Sequence, residues 1–266
     1  MRNAFIGICL FSFMVVGWVS CKKDNPVGIN MGYNYFPTDV GRYVIYDVDS
    51  IYYDNANLNS HTHLAPADTF KFQLKEKIES IYSDNLNRPT VRLERYVKLD
   101  NDSIAYSQMP WTLRNVWAEN RTASTAEKVE ENMRYIKLSF PVKDNQTWNG
   151  NAQNNNQEMD YYYSYYDQSI KIRNIQFDSV LQVVQYDDGG NIITERQLYT
   201  ERYARKVGLV SKESINIQSQ PYAAWSNSAQ YPYGSDSTTA FILKPIMQRI
   251  TGGIHLIMWV NSYGVE

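Results

Sequence analysis

The side chains in this chain that could do chemistry are few and scattered. Its three histidines are His61, His63 and His255. In His61-Thr62-His63 an extended backbone puts both imidazoles on one face, and with Asp68 nearby this is the start of a metal site. A metal centre needs more ligands, and no other His, Asp and Glu residues recur at ligand spacing. These two histidines are therefore read as polar residues of a connecting loop. His255, within Ile254-His255-Leu256-Ile257-Met258-Trp259, is expected on the polar face of a strand and not as a base. The acidic pairs Glu130-Glu131 and Asp187-Asp188 are the material of a hydrolase, but they fall in an expected helix and an expected turn. Nucleophile elbows, phosphate loops and dinucleotide fingerprints are absent from the sequence. No catalytic residue, metal ligand or cofactor is assigned, and the chain is not expected to be an enzyme.

Aromatic residues offer more. The chain has 22 Tyr, 9 Phe and 6 Trp. Tyr161-Tyr162-Tyr163-Ser164-Tyr165-Tyr166 forces tyrosines onto both faces of a strand. Tyr162, Tyr163, Tyr165, Trp148 and Trp225 are the candidate binding aromatics, suited to a glycan or a protein partner. The competing reading is structural, since tyrosine is a good strand residue and cross-strand aromatic ladders stabilise sheets.

Cys21 sets the expected location. Arg2 supplies a basic start, residues 4–19 form an almost unbroken apolar run, and Trp18-Val19-Ser20-Cys21 ends it on a small residue before cysteine. Such a run is short of the about twenty residues that a spanning helix needs and suits a signal-peptide core. Trp18-Val19-Ser20-Cys21 resembles the lipoprotein box. That resemblance implies cleavage between Ser20 and Cys21, acylation of Cys21, and a lipid anchor in the outer membrane. Cys9 would leave with the leader, so the mature chain would hold no disulfide and no Cys-based site. A net charge of −2 and a pI near 6.0 argue against a nucleic-acid partner. The organisation expected is a signal peptide over 1–20, a lipidated tether over 21–32, and one β-rich domain over 33–266.

The elements must be mostly strands. Period-two runs rich in aromatic and β-branched residues are read over 43–52, 69–81, 90–98, 103–107, 136–140, 161–172, 180–186, 192–203, 208–217 and 253–262. Asp187-Asp188-Gly189-Gly190-Asn191 is a hairpin turn. Ser124-Thr125-Ala126-Glu127 has capping-box spacing and predicts a short helix through 132. A second short helix is placed around 243–248, against the presence of Pro245. The fold class expected is mainly β: an antiparallel sandwich or open barrel with one or two short helices.

Two stretches echo each other. Phe36-Pro37 is followed after three residues by Gly41-Arg42-Tyr43, and Phe140-Pro141 by Asn145-Gln146-Thr147-Trp148. We read them as two similar strand starts within one domain. Tyr35-Phe36-Pro37 with Gly41 and Tyr43, Phe140-Pro141 with Trp148, and Tyr203-Ala204 with Val207-Gly208-Leu209-Val210 together resemble lipoproteins of Bacteroidota that carry no established activity. Asn145 stands where that pattern usually has Gly. The resemblance implies a β-rich, lipid-anchored envelope protein and transfers no catalytic residue. The function expected is a non-enzymatic binding or structural component of the outer membrane. A carbohydrate-capture accessory protein using exposed Tyr and Trp is the second expectation, and a hydrolase with an unidentified acidic pair the third.

Overall fold

A computed structural model describes residues 30–53, 67–99, 104–190, 194–220 and 249–266. The chain divides into two compact units, Met1–Asn30 and Met31–Glu266. All the elements below belong to the second.

Twelve strands form one antiparallel sheet. They are β1 (Arg42–Tyr53), β2 (Ala67–Ser83), β3 (Pro89–Leu99), β4 (Thr112–Arg121), β5 (Thr125–Glu130), β6 (Met133–Ser139), β7 (Thr147–Asn149), β8 (Asp160–Ile172), β9 (Ile175–Asp187), β10 (Glu195–Ala204), β11 (Gly208–Gln220) and β12 (Arg249–Val265). Their order is β6-β5-β4-β3-β2-β1-β12-β11-β10-β9-β8-β7. Two six-stranded meanders thus lie side by side. They are joined in the middle by β1 and β12, paired from Arg42↔Val265 to Tyr53↔Gly253 with one register shift between Ile45 and Tyr46. The sheet curls into a nearly closed barrel whose free edges, β6 and β7, are consecutive in sequence.

Alternation explains which face each strand turns inward. In β1, Val44, Tyr46, Val48 and Ser50 are buried, while Ile45, Asp47 and Asp49 between them are half-buried. Lys71, Gln73, Lys75 and Lys77 of β2 alternate with inward Phe72, Leu74, Glu76 and Ile78. Three of these four outward positions of β2 are lysines.

Each meander opens the same way. Gly41, just before β1, has φ +86°, and Asn145, just before β7, has φ +57°. The echo in the sequence is therefore one turn geometry used twice, with a left-handed residue ahead of the first strand of each half.

The seam between β6 and β7 is closed largely by side chains. Ile136 N–H donates to Gly150 O (2.9 Å). The Trp148 indole donates to Ile136 O (2.9 Å), Asn154 to Arg134 O (2.8 Å), and the Tyr163 hydroxyl both accepts from Ser139 N–H (2.9 Å) and donates to Ser139 O (2.8 Å). These bonds satisfy polar groups that an unpaired edge would otherwise leave open.

One end of the barrel is stoppered by residues 31–37. Arg121 donates to Tyr33 O (3.2 Å) and Phe36 O (2.9 Å), Lys206 N–H to Asn34 O (2.6 Å), and Val142 N–H to Met31 O (3.1 Å). Tyr35 and Phe36 are buried there with Phe140, Tyr163 and Tyr203.

Two expectations are corrected. The helix expected from Ser124 to Asn132 is strand β5 and its turn: Thr125 pairs with Ser139 of β6, and Glu131 and Asn132 both have positive φ (47° and 66°) in the tight β5–β6 hairpin. Burial of Ala126 in the core and pairing on both sides override the capping-box signal, which is satisfied here by an Ser/Thr turn with Thr122 accepting from Ser124 and Thr125 N–H. The strand expected over 103–107 is a 3₁₀ turn at Tyr106–Gln108. The helix expected around 243–248 lies outside the described residues. Among the described residues no α-helix occurs, and no helix is long and apolar enough to cross a membrane.

Candidate functional site

The inward faces enclose a cavity of about 850 Å³. Its lining runs from Phe36 and Pro37 at one end to Tyr52, Asp68 and Phe70 at the other, where the rings of Tyr52 and Phe70 meet edge-on at 5.5 Å. Tyr52 and Phe70 are 45% and 57% exposed. One wall, from β1, β2 and β12, is apolar, with Val44, Val48, Phe72, Leu74, Leu256 and Met258. Phe36 and Pro37 form the floor.

The rest of the lining, starting from Glu76 further along β2, is ionic. Glu76 accepts from Arg95 Nε (2.9 Å) and Lys128 Nζ (3.1 Å). The same Lys128 reaches Glu119 Oε1 at 3.2 Å. Lys137 pairs with Glu130 (2.9 Å) and Glu201 (3.2 Å), and Lys212 also pairs with Glu201 (3.2 Å). The Tyr203 hydroxyl donates to the second Glu201 oxygen at 2.6 Å. Four carboxylates thus face four cations, drawn from β2, β3, β4, β5, β6, β10 and β11. The Arg95 guanidinium lies 3.5 Å from the centre of the Trp117 ring, a cation–π contact inside the wall.

Electrostatics divide the four acids. Burial opposes ionisation of Glu76, but Lys128 and Arg95 overcome it and hold its carboxyl below the usual range. Burial likewise resists Glu130, yet Lys137, then Lys212 and Lys128, bring it down to about 2. Glu201 is lowered against its burial by Lys137 and Lys212. Glu119 goes the other way: burial pushes it up, and Lys128 alone does not compensate for burial and the neighbouring Glu76. Burial would lower Lys137, but Glu130 and Glu201 raise it, so it stays charged.

The residues singled out from sequence fall elsewhere. Tyr163 is 0% exposed, and with Trp148 (ring centroids 4.6 Å apart) it packs at the seam. Tyr162 is half-buried and pairs across to Val184 and Thr147. Tyr165 is half-buried on β8, its ring packed against the core that holds Phe177 and Val180. These four are not brought together as one exposed platform. Trp225 lies outside the described residues, as do Ser20, Cys21, His61 and His63. His255 is in a strand on the face away from the cavity, as Ile215 and Ile51 opposite it are, but it is fully buried and bonds Glu213 at 3.0 Å. Glu130, expected in a helix, lines the cavity, while Asp187 and Asp188 both bind Arg196 at a turn. Among the described residues no group of three or more His, Cys, Asp or Glu is placed to hold a metal.

Sequence reasoning passed over the ionic wall. The available signal was a charge interrupting an apolar stripe: Phe70, Phe72, Leu74, Glu76 and Ile78 share one face of β2. Its partners sit on other strands, up to 64 residues away for Lys137 and Glu201, so no local pattern joins them.

The chain matches no protein-family model and no curated protein sequence.

Proposed function

We propose that this protein is a non-enzymatic binding component of a bacterial outer membrane, held there by lipid on Cys21, and that it takes a small molecule inside its barrel. The cavity of about 850 Å³ carries this reading. It falls within the roughly 300–1,000 Å³ of small-molecule sites and combines a mostly apolar lining with a few convergent polar groups. A structural scaffold would have no use for an open, half-ionic interior, because a filled apolar core of the same volume is as stable or more so.

Binding of the neutral dye N-phenylnaphthylamine tests the cavity. Wild-type protein should enhance its fluorescence saturably. Ser50→Trp and Leu256→Trp, which put an indole into the cavity, should abolish the effect, while Tyr162→Ala on β8 should leave it intact. Undiminished binding by both Trp variants, with folding confirmed by circular dichroism, would overturn the reading. For the anchor, Cys21→Ala should move the protein from the membrane to the soluble envelope fraction. A variant that still sediments with membrane would contradict lipidation.

The hydrolase remains a second reading on one observation. Glu76 and Glu119 contact the same ammonium and are driven in opposite directions, as a general acid and its partner would be. It ranks second because Lys128 lies between them, where the scissile bond would have to sit. Full dye binding together with turnover of a glycoside that is lost in Glu119→Gln would reverse the order.

A further inference from the structure

The charges of the barrel interior are matched among themselves. Glu76 holds Arg95 and Lys128, and Lys128 also holds Glu119. Glu130 holds Lys137, and Glu201 holds both Lys137 and Lys212. Each of these four acids has a cation within 3.2 Å, and each of the four cations has an acid. The other charges near the cavity balance as well. Asp68 and Arg114 are both exposed, and Arg42 lies 3.8 Å from Asp39. Counted over the whole lining, five cations meet five acids, so the cavity presents no surplus of either sign.

A ligand ion entering this interior meets no unmatched opposite charge. An ammonium would have to draw a carboxylate from its lysine or arginine, and an anion would have to draw a cation from its acid. Either exchange takes a partner from a buried pair, which is the costly direction. A zwitterion would have to do both. A hydroxyl donates to the acids or accepts from the bases as they stand, and it brings no charge to be neutralised.

Shape sets the rest of the ligand. Val44, Tyr46, Val48, Ser50 and Tyr52 of β1 all line the cavity. Their eight residue steps cover roughly 25 Å at about 3.3 Å per residue. A volume of about 850 Å³ drawn out over that length is a slot, suited to one chain. The slot is also polar at one end. Glu76 stands opposite Val44 in the β1–β2 ladder, whereas Phe72 and Phe70 stand opposite Val48 and Ser50, towards Tyr52. We infer that the barrel takes an uncharged single-chain amphiphile, its hydroxyl-bearing head at the ion pairs and its hydrocarbon laid along β1, β2 and β12 towards Tyr52 and Phe70. This rests on the cavity being the binding site.

Isothermal titration of the wild-type protein with decanol, decylamine, decanoate and a decyl betaine at neutral pH, each below its micelle concentration, tests the head group. Decanol should bind about tenfold or more tighter than each of the other three, because an unmatched buried charge costs at least as much as an unsatisfied polar group. Lys212, at 29% the most exposed of the eight paired side chains, offers a way to unbalance the interior. Lys212→Met leaves four acids facing three cations, and decylamine should then gain about tenfold relative to decanol. The wild-type ranking decides by itself should that variant not fold. Any of the three charged amphiphiles binding the wild type as tightly as decanol, or no gain for decylamine in folded Lys212→Met, overturns the assignment of an uncharged ligand while leaving the cavity as a site. Failure of all four amphiphiles and of N-phenylnaphthylamine to bind would instead overturn the cavity reading.

Discussion

Lys137 of β6 reaches across the barrel to Glu201 of β10, Nζ to Oε1 3.2 Å, although the two strands are not neighbours in the sheet. The pair ties the two meanders together through the interior, 3–4% exposed on the Lys side and almost fully buried on the Glu side. Removing one partner strands the other in a water-poor wall. Lys137→Met should therefore lower stability by about 3–5 kcal/mol. The double variant Lys137→Met, Glu201→Leu should recover much of the loss, because Lys212 then faces Glu130. Denaturant midpoints of the two singles and the double would give the coupling; additive losses would show that the contact is incidental.

The acids of this wall set an acid limit on folding. Glu130 falls from an ordinary 4.5 to about 2 in the folded state, with Lys137 and its neighbours outweighing burial. A lowered folded value contributes stability that is fully present above the unfolded value and is lost as pH falls through the folded one. Glu201 and Glu76 act in the same direction, and Glu119, raised by burial, acts in the opposite one by gaining stability when protonated. Three against one, melting temperature should drop as pH falls from about 4.5 towards 2. Glu130→Gln should be less stable at neutral pH and show a shallower acid decline. An unchanged slope would remove Glu130 from the account.

The seam makes its own prediction. Tyr163→Phe deletes the hydroxyl that serves both Ser139 N–H and Ser139 O. Leaving two backbone groups without partners should cost about 1–3 kcal/mol. Amide exchange at Ile136 and Ser139 should quicken before that of β1 or β12, since the edges open first. Uniform quickening across the sheet would mean that the seam is not the weak line.

The paired turns can be compared directly. A Cβ on Gly41 would stand 2.5 Å from the backbone oxygen of Glu266, and φ there is +86°. Gly41→Ala should thus cost more than the roughly 1 kcal/mol of left-handed strain alone. Asn145 holds φ +57° with a side chain already in place, so Asn145→Gly should change stability by less than about 1 kcal/mol. Equal losses at both would argue that the two turns are not equivalent.

How much of this was legible in the sequence varied with distance along the chain. β1, β2, β8 and β11 stood out because their alternation is long and rich in Tyr, Val and Ile, and Gly189-Gly190 at positive φ marked its hairpin. β5 was hidden because Ser124-Thr125-Ala126-Glu127 spells a helix start in one dimension, and only pairing with Arg121 and Ser139 makes it a strand. β7 is three residues long, too short for a period. Tyr163 and Trp148 were legible as unusual but not as seam residues, since their partners Ser139 and Ile136 gain meaning only when the sheet edges meet. The cavity was not legible at all, because its acids and bases come from seven strands.

The most direct test of the proposal that the barrel holds a small molecule is native mass spectrometry of the protein purified gently from the cells that make it. The account predicts a non-covalent adduct of small-molecule mass in the wild type that is missing from folded Ser50→Trp and Leu256→Trp. An adduct of equal occupancy in all three proteins, or bare protein throughout, would contradict it.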